Sequence, residues 1–441
     1  MYNIIDFGAL GDAKTNVTGA IQAAVDACHQ NNGGVVYVPH GVYVVASIHL
    51  YDNIHFIFEP GAKFLGSLDP DDFDEREEVS YPLYQDFSHS YFHRSMFWAE
   101  GCDHISFAGR GVIDMQSVWE KEPVQGETAW CGRRANKIFA FKNCSDVVIS
   151  ELNLYNATDV GVYLAGCENV RITGLNMNVH IDGISPDCCK NVVISDCNIV
   201  AGDDGIVLKS SYTLNENRVC ENVVVSNCTV SSRMCAIKLG TESNGGFRNI
   251  TINNCAIYDT CLAGVALEIA DGGDLDGVVV TGMVMKNVGT PLLVMLTDRR
   301  RGPENAKLGT MKNIIIDNLI ATGPYEPIAP IRYTTILPDE KLSHEAAVVT
   351  SSVVGHPDCK LENVTLSNIH IVVPGGGTED DRKVILQEVS NQTPAPAALG
   401  KVLPAYGIYF RHVKNLKMKN VSIDTMEPDV REPFVFDDVM E

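Results

Sequence analysis

Two neighbouring stretches, Cys167-Glu168-Asn169-Val170-Arg171-Ile172-Thr173 and Cys189-Lys190-Asn191-Val192-Val193-Ile194-Ser195, follow one pattern 22 residues apart. In each, a cysteine and an asparagine precede alternating β-branched residues, which is typical of a short strand. Related copies begin at Cys144 and Cys220, and looser copies without the cysteine continue to Lys419. A repeat of roughly 20 to 50 residues indicates a solenoid or an array of small units.

This period predicts an all-β parallel β-helix, in which each coil stacks on the previous one at about 4.8 Å. Val, Ile, Leu and Cys would fill the interior. Asn at the turns would adopt left-handed backbone and hydrogen-bond along the stack. A β-propeller is the competing repeat fold, but its four-stranded units are longer than these repeats. The 14 cysteines show no recurring C-x-x-C pairs, so we expect them to be buried and reduced rather than metal ligands.

We expect one domain over the whole chain. Its parts would be an N-terminal cap over residues 1–45, main coils carrying the functional face over 46–325, and loop-rich C-terminal coils over 326–441. An amphipathic helix from Thr18 to Gln30 would cover the open end of the solenoid. Thr18 is the expected N-cap of this helix, and Gly33-Gly34 the expected stop.

The composition restricts the partners. The chain has 441 residues with 34 basic and 56 acidic side chains, and its formal net charge is −22. Such acidity argues against binding to nucleic acid or to an anionic membrane. No run approaches the roughly 18 uninterrupted apolar residues of a transmembrane helix. The first residues lack a basic segment followed by an apolar one, so we expect a cytoplasmic protein, although a processed secreted protein is an alternative.

Three aspartates interrupt strand-rich sequence, which normally disfavours them. Asp182 lies in His180-Ile181-Asp182-Gly183. Asp203 and Asp204 lie in Gly202-Asp203-Asp204-Gly205, and Asp203 is 21 positions after Asp182. Coils of about this length would stack the three carboxylates on one face. Repulsion between them would raise at least one pKa, as a general acid near neutral pH requires. A surface turn without chemistry and a calcium site made by the same carboxylates are the alternatives.

These motifs resemble those of the polygalacturonase and rhamnogalacturonase family, glycoside hydrolase family 28. Ile181-Asp182-Gly183-Ile184 is similar to the family's Asn-Thr-Asp-Gly motif, and Gly202-Asp203-Asp204-Gly205 to its Asp-Asp motif. The opening Asp6-Phe7-Gly8-Ala9-Leu10-Gly11-Asp12, with Gly33-Gly34-Val35-Val36-Tyr37-Val38-Pro39, resembles the start of pectin-degrading β-helices. The resemblance covers residues 1–325 and implies a right-handed, pectin-lyase-like parallel β-helix with a short N-terminal capping helix.

The resemblance also implies hydrolysis with inversion at the anomeric carbon. Asp203 would be the general acid, and Asp182 and Asp204 would activate water. Inverting enzymes separate the two carboxyl groups by roughly 6.5–9.5 Å, and retaining enzymes by about 5–5.5 Å. Stacked coils alone would predict a short separation, so inversion here depends on the resemblance. We expect no metal ion and no cofactor.

Two family motifs are altered. Cys235 takes the place of the histidine in Gly-His-Gly, as a similar cysteine does in rhamnogalacturonases. Gly264-Val265-Ala266-Leu267-Glu268 takes the place of Arg-Ile-Lys, which in the family binds the galacturonate carboxylate. An unpaired substrate carboxylate beside Glu268 would be costly, so either another cation pairs with it or the sugar is not a uronate. The candidate substrate-binding residues are His180, Lys209, Arg233, Cys235, Lys238, Glu242, Glu268 and Arg299, with Arg248 as a further replacement cation.

The function predicted from these observations is an exo-acting hydrolase of pectin-derived oligosaccharides, with rhamnogalacturonan fragments favoured over homogalacturonan. Aromatic residues including Trp98, Trp119, Trp130 and Phe87 would wall one end of the groove and select short or chain-end substrates. Packing of a long loop explains them equally well. A polysaccharide lyase on the same fold and a non-catalytic carbohydrate-binding β-helix are the alternative functions. A further interpretation is that Lys238 and Glu268 form a structural ion pair instead of binding substrate.

Overall fold

The structure is a computed structural model that describes residues 1–85, 89–117, 137–304, 306–323 and 349–440. The chain divides into two compact units. The first is Met1–Ala201 with Thr213–Asn215, and the second is Gly202–Tyr212 with Glu216–Glu441. Among the described residues, no helix has the length and apolar character needed to cross a membrane.

The first unit consists of short strands and one long helix. Its strands are β1 Tyr2–Asn3, β2 Asp12–Asn16, β3 Gly34–Val38, β4 Gly41–Val45, β5 Ile48–His49, β6 Ile54–Phe58, β7 Ala62–Gly66, β8 Ser95–Glu100, β9 Ser106–Gly109, β10 Val112–Asp114, β11 Lys137–Lys142, β12 Ser145–Ser150, β13 Asn153–Tyr155, β14 Val162–Ala165, β15 Glu168–Thr173, β16 Asn176–Val179, β17 Ile184–Asp187, β18 Lys190–Ser195 and β19 Asn198–Ala201. Helix α1 spans Thr18–Gln30, and short 3-10 turns span Ile4–Phe7 and Pro70–Asp72.

Parallel pairing in this unit joins each strand to the strand one repeat later. Val147 of β12 is opposite Val170 of β15, which is opposite Val192 of β18. All three valine side chains are buried. The intervals of 23 and 22 residues are those of the sequence repeat, so the predicted stacking of coils is confirmed here.

Helix α1 occupies the predicted residues, and its Ile21, Ala24, Val25 and Cys28 are buried. The predicted N-cap is wrong, because Val17 holds the cap position without a side-chain hydrogen bond. Asn16 Oδ1 accepts from the Thr18 amide instead, at 3.0 Å, and Thr18 Oγ1 accepts from the Ala46 amide at 2.8 Å. The helix ends before Gly33, whose amide donates to the Cys28 carbonyl oxygen at 2.9 Å.

The second unit contains longer strands. They are β20 Ile206–Ser210, β21 Cys220–Ser226, β22 Thr229–Ser232, β23 Cys235–Ser243, β24 Phe247–Ile269, β25 Asp274–Leu296, β26 Thr310–Thr322, β27 Ser351–Val354, β28 Leu361–Val373, β29 Ala405–Thr425 and β30 Glu432–Met440. A short helix α2 spans Glu379–Arg382, and a 3-10 turn spans Pro396–Leu399. The registers form one continuous parallel column of buried residues: Val223, Ile250, Val278, Ile314 and Val364.

Asparagine ladders run along both units. In the first unit, Asn191 Nδ2 donates to Asn169 Oδ1 at 3.0 Å. In the second, Asn249 donates to the side chain of Asn222 at 3.1 Å. All four residues have φ between 54° and 57°, in the left-handed region that Asn tolerates better than most residues. The predicted role of Asn at the turns is therefore confirmed.

Cysteines occupy the interior, as predicted. None of the cysteines in the described ranges forms a disulfide there, and all of these except Cys359 are buried. Burial raises the pKa of the Cys28 thiol, and burial likewise raises that of Cys235. These side chains therefore behave as small apolar groups, not as thiolate ligands.

Candidate active site

The second unit carries Asp203 and Asp204 in the turn that leads into β20. The corresponding turn of the next coil is Arg233-Met234, between β22 and β23. The Met234 amide donates to the Asp203 carbonyl oxygen at 3.3 Å, and the Leu262 amide donates to the Met234 carbonyl oxygen at 3.0 Å. Backbone hydrogen bonds therefore link the Asp203 turn, the Arg233-Met234 turn and the part of β24 at Leu262 in successive coils.

Glycine makes this close stacking possible at one position. A Cβ atom on Gly205 would lie 2.3 Å from Val230 Cγ1 and 2.6 Å from the Ala236 carbonyl oxygen. A Cβ atom does not approach non-bonded atoms that closely, so a larger residue would push the Asp-Asp turn away from the next coil. The Gly205 amide also donates to the Cys235 carbonyl oxygen at 2.9 Å. The glycine following the aspartates is thus required by packing.

The two aspartates have different environments. Asp204 is buried, with Oδ1 accepting from the Cys235 amide at 3.0 Å and Oδ2 from Lys238 Nζ at 3.1 Å. Asp203 is partly exposed. One carboxylate oxygen of Asp203 lies within 4.8 Å of one of Asp204. The structure therefore brings together a carboxylate fixed by two donors and a second carboxylate that solvent and ligands can reach.

Lys238 connects Asp204 to a second buried acid. Its Nζ lies 3.8 Å from Glu268 Oε2, and in the strand register Lys238 is opposite Ala266. Although burial disfavours the charged ammonium group, the carboxylates of Asp204 and Glu268 raise the pKa of Lys238 well above its ordinary value. Burial raises the pKa of Glu268 to about 7, while the charge of Lys238 opposes this. The ion pair that sequence analysis gave as an interpretation of Lys238 and Glu268 is thus present, with Asp204 as its third member.

A second charge cluster contains Lys209 and Arg299. Lys209 Nζ lies 3.1 Å from Glu242 Oε2, and both side chains are buried. Arg299 Nε donates to the buried Asp271 Oδ1 at 2.8 Å, and Arg301 pairs with Glu242. Burial raises the pKa of Asp271, and the hydrogen bond from Arg299 opposes the increase. Each cation of this cluster therefore already contacts an internal carboxylate, and Glu242 is shared between Lys209 and Arg301.

Asp182 and His180 belong to the first unit, in the turn between β16 and β17. Asp182 is buried, and its carbonyl oxygen accepts from the Gly161 amide at 2.9 Å. His180 Nε2 lies 3.2 Å from Ser117 Oγ. Burial lowers the pKa of His180 to about 4, so its imidazole is neutral near pH 7. That Asp182 shares a substrate with Asp203 remains a prediction of the 21-residue spacing.

Sequence reasoning missed His89. This buried histidine places Nε2 at 3.9 Å from Asp182 Oδ2, and its ring meets Tyr163 edge-on. Among the described residues, neither ring nitrogen of His89 has a hydrogen-bond partner. No periodic pattern singles out this residue. Its position in a long loop far from Asp182 in sequence explains why spacing did not find it.

The predicted aromatic wall is described only in part. Trp98 stacks between His49 and His93, with ring centroids 3.9 Å and 3.8 Å away. Its Nε1 donates to Asp74 Oδ2 at 2.7 Å. Trp119, Trp130 and Phe87 lie outside the described residues. The observed contacts of Trp98 are those of packing, and the wall remains a prediction.

The donors around Asp204 bear on the calcium alternative. Carboxylate oxygens are ligands that Ca²⁺ prefers, and Asp203 and Asp204 offer oxygens close together. However, Lys238 Nζ already places a positive charge 3.1 Å from Asp204 Oδ2. A divalent ion on the same carboxylate would be repelled by this ammonium group. These residues therefore fit an acid–base pair better than a cation site.

Comparisons with known proteins agree with this arrangement. Residues 84–322 match the family model described as Glycosyl hydrolases family 28, and residues 1–82 match Rhamnogalacturonase A/epimerase, pectate lyase-like. A Vitis vinifera protein named "Probable polygalacturonase" is 26% identical over 304 residues, which cover 65% of this chain and 61% of that protein. The match therefore spans less than two thirds of the grape relative.

Two solved structures share the fold. The Yersinia enterocolitica family 28 exopolygalacturonase superposes with a TM-score of 0.72 at 17% identity, covering 100% of this chain and 77% of that one. The Thermotoga maritima exopolygalacturonase superposes with a TM-score of 0.68 at 19% identity, covering 95% and 91%. These similarities support the all-β, polygalacturonase-like β-helix fold. Because the family 28 model matches 239 of the 441 residues (84 to 322), the chain belongs to glycosyl hydrolases family 28.

Proposed function

We propose that this protein hydrolyses glycosidic bonds in pectin-derived oligosaccharides and releases sugars from chain ends. The observation that carries the proposal is the contrast between two adjacent carboxylates, a partly exposed Asp203 and a buried Asp204 held by Lys238. Pairs of carboxyl groups in different environments take different acid–base roles. The exo-acting mode is supported by the exopolygalacturonases of Yersinia and Thermotoga, which share this fold.

In the proposed reaction, Asp203 donates its proton to the glycosidic oxygen as the bond from that oxygen to the anomeric carbon breaks. Water attacks the anomeric carbon, and its proton passes to a carboxylate of Asp182 or Asp204. Lys238 and the Cys235 amide hold both carboxylate oxygens of Asp204 in place, which suits a proton acceptor. We also propose that the coil is right-handed and that helix α1 covers its first turn.

We further propose that the configuration at the anomeric carbon is inverted. The close oxygens of Asp203 and Asp204, within 4.8 Å, are nearer than the roughly 6.5–9.5 Å between carboxyl groups of an inverting pair. Water activation is assigned to Asp182 and Asp204 alike, as the family resemblance implies. NMR of the first-formed anomer tests this step, and retention of configuration would contradict it.

The decisive variant is Asp203→Asn. It keeps the size of the side chain and removes the proton donor, so we expect a loss of turnover of about 10²-fold or more without loss of the fold. Asp358→Asn is the matched control, because the Asp358 side chain is 85% exposed and distant in the sequence from the turn. Circular dichroism and the melting temperature monitor folding. Activity retained by Asp203→Asn would remove Asp203 from the acid role.

A lyase is the second candidate function, because residues 1–82 match a model whose description includes pectate lyase-like. Hydrolysis inserts one water oxygen into the product, whereas elimination inserts none and leaves an unsaturated uronate. Digestion in H₂¹⁸O followed by mass spectrometry separates the two reactions. We expect one ¹⁸O per cleaved bond. Unlabelled, ultraviolet-absorbing products would establish the lyase.

A further inference from the structure

We propose that Arg233 binds the carboxylate of a uronate residue next to the cleaved bond, in place of the cations missing at Ala266 and Glu268. The inference deepens the proposed hydrolase function and depends on it for the identity of the substrate. It assigns a specificity-determining residue to the turn one coil beyond Asp203. The chemical class that it names is an acidic oligosaccharide with a free uronate carboxylate.

The other cations near the site are already paired. Lys238 contacts Asp204 and lies close to Glu268, as described above. Lys209 is held by Glu242, and Arg299 by Asp271. Each of these pairs has its carboxylate buried. A substrate carboxylate that approached them would have to compete with an internal partner.

Two more candidate cations already have a carboxylate partner within the protein. Arg301 pairs with Glu242, and Arg248 Nη1 lies 3.7 Å from Glu221 Oε2 on a side chain that is 55% exposed. Arg233 is different, because no carboxylate in the described ranges lies within 4.0 Å of its guanidinium nitrogens. Its Nη2 atom is shielded from solvent and has no hydrogen-bond partner among those residues. Leaving a guanidinium donor both desolvated and unpaired is costly, and a bound carboxylate would remove that cost.

The position of Arg233 fits this role. The residues on either side of it both contact the Asp203 carbonyl oxygen, Ser232 through its hydroxyl and Met234 through its amide at 3.3 Å. Arg233 is partly exposed, so a ligand can reach it. Burial raises the pKa of the neighbouring Cys261 thiol and the charge of Arg233 opposes this, which indicates that the guanidinium lies near the following coil. The backbone of Arg233 therefore lies one coil beyond that of Asp203, between two residues that contact it.

The charge of the whole protein strengthens the argument. A molecule with a net charge of −22 repels a polyanionic substrate. Binding of a uronate then requires a local cation that no internal acid has neutralised. Arginine suits this task better than lysine, because its planar guanidinium pairs with a carboxylate through two parallel hydrogen bonds.

The test compares Arg233→Gln with the wild-type enzyme on two substrates, an oligogalacturonate and the same oligomer after reduction of its carboxyl groups. We expect kcat/KM on the acidic oligomer to fall by about 30- to 100-fold, mostly through KM, because a charge-assisted pair is lost. On the reduced oligomer the change should stay below about twofold. Arg233→Lys should recover only part of the loss. Arg382→Gln is the control, since Arg382 lies on the surface helix α2.

Binding measurements separate this inference from the proposed reaction. Calorimetry of the acidic oligomer with Asp203→Asn, alone and combined with Arg233→Gln, requires no turnover. A Kd weakened about 30-fold by the second substitution supports the role of Arg233 even if hydrolysis is disproved. An unchanged Kd, or equal losses of kcat/KM on acidic and reduced oligomers, overturns it. Hydrolysis of reduced oligomers alone by the wild-type enzyme also overturns it and leaves the hydrolase assignment standing.

Discussion

Glu268 provides a prediction whose size follows from the structure. Its carboxyl group is buried beside Lys238 and Asp204, and burial raises its pKa from 4.5 to about 7. A group whose pKa is higher in the folded than in the unfolded state stabilises the fold fully below the unfolded value. That stabilisation is lost as the pH rises through the folded value. Since one pKa unit corresponds to about 1.36 kcal/mol, the loss between pH 4.5 and pH 7 is about 3 kcal/mol.

The perturbation is Glu268→Gln, which keeps the shape of the side chain and removes the ionisation. We expect the free energy of unfolding of the wild type, minus that of the variant, to fall by about 3 kcal/mol from pH 4.5 to pH 7.5. Urea denaturation followed by circular dichroism at several pH values measures this difference. Glu362→Gln is the control, because Glu362 pairs with Lys414 on the surface and should show almost no trend. A wild-type-minus-variant difference that stays constant or rises with pH would refute the reasoning.

Three further predictions concern other parts of the molecule. His89→Gln should lower kcat by about 10- to 100-fold with little change in KM, since its ring nitrogens have no hydrogen-bond partner among the described residues and Nε2 lies 3.9 Å from Asp182 Oδ2. Steady-state kinetics tests this, and an unchanged kcat would contradict it. Asp159→Asn should destabilise the first unit by about 3–5 kcal/mol, because it leaves the buried Lys137 ammonium without its carboxylate at 3.4 Å; an unfolding free energy within about 1 kcal/mol of wild type would contradict it. A chelator should leave activity unchanged, because an ammonium group already pairs with Asp204, and full loss reversed by calcium would restore the metal alternative.

The repeat of the sequence predicted the coils because each strand signal is local. Alternating β-branched residues and a turn asparagine recur in every copy, so the interval between copies gives the register directly. The column from Val223 to Val364 shows that this holds even where the interval lengthens from 27 residues to 50. The longer intervals leave the strand pairing of the described residues unchanged. Sequence alone therefore predicted which residues stack.

Apart from the pair of Lys238 and Glu268, the pairing of charges was beyond the reach of the sequence. Five cations were equivalent candidates for a substrate carboxylate, because a cation and its partner lie on different coils and the side-chain direction decides which pairs form. Arg299 and Asp271 are 28 residues apart, and Lys209 and Glu242 are 33 apart. His89 shows the same limit, since its loop carries no periodic signal that relates it to Asp182. What sequence reasoning left open is mainly the long-range geometry of side chains.

The altered family motif is best understood as one linked change. Lys238 is opposite Ala266 in the strand register, so an arginine at 266 would place two cations side by side in the interior. With alanine there, the long side chain of Lys238 has room to reach Asp204 and to approach Glu268. Glu268 in turn balances an ammonium group that would otherwise be buried with a single acid. Alanine at 266 and glutamate at 268 therefore suit each other, because one leaves room for Lys238 and the other lies close to its ammonium group. A substrate carboxylate must then be recognised elsewhere, and Ala266→Arg should destabilise the protein unless Lys238 is also replaced.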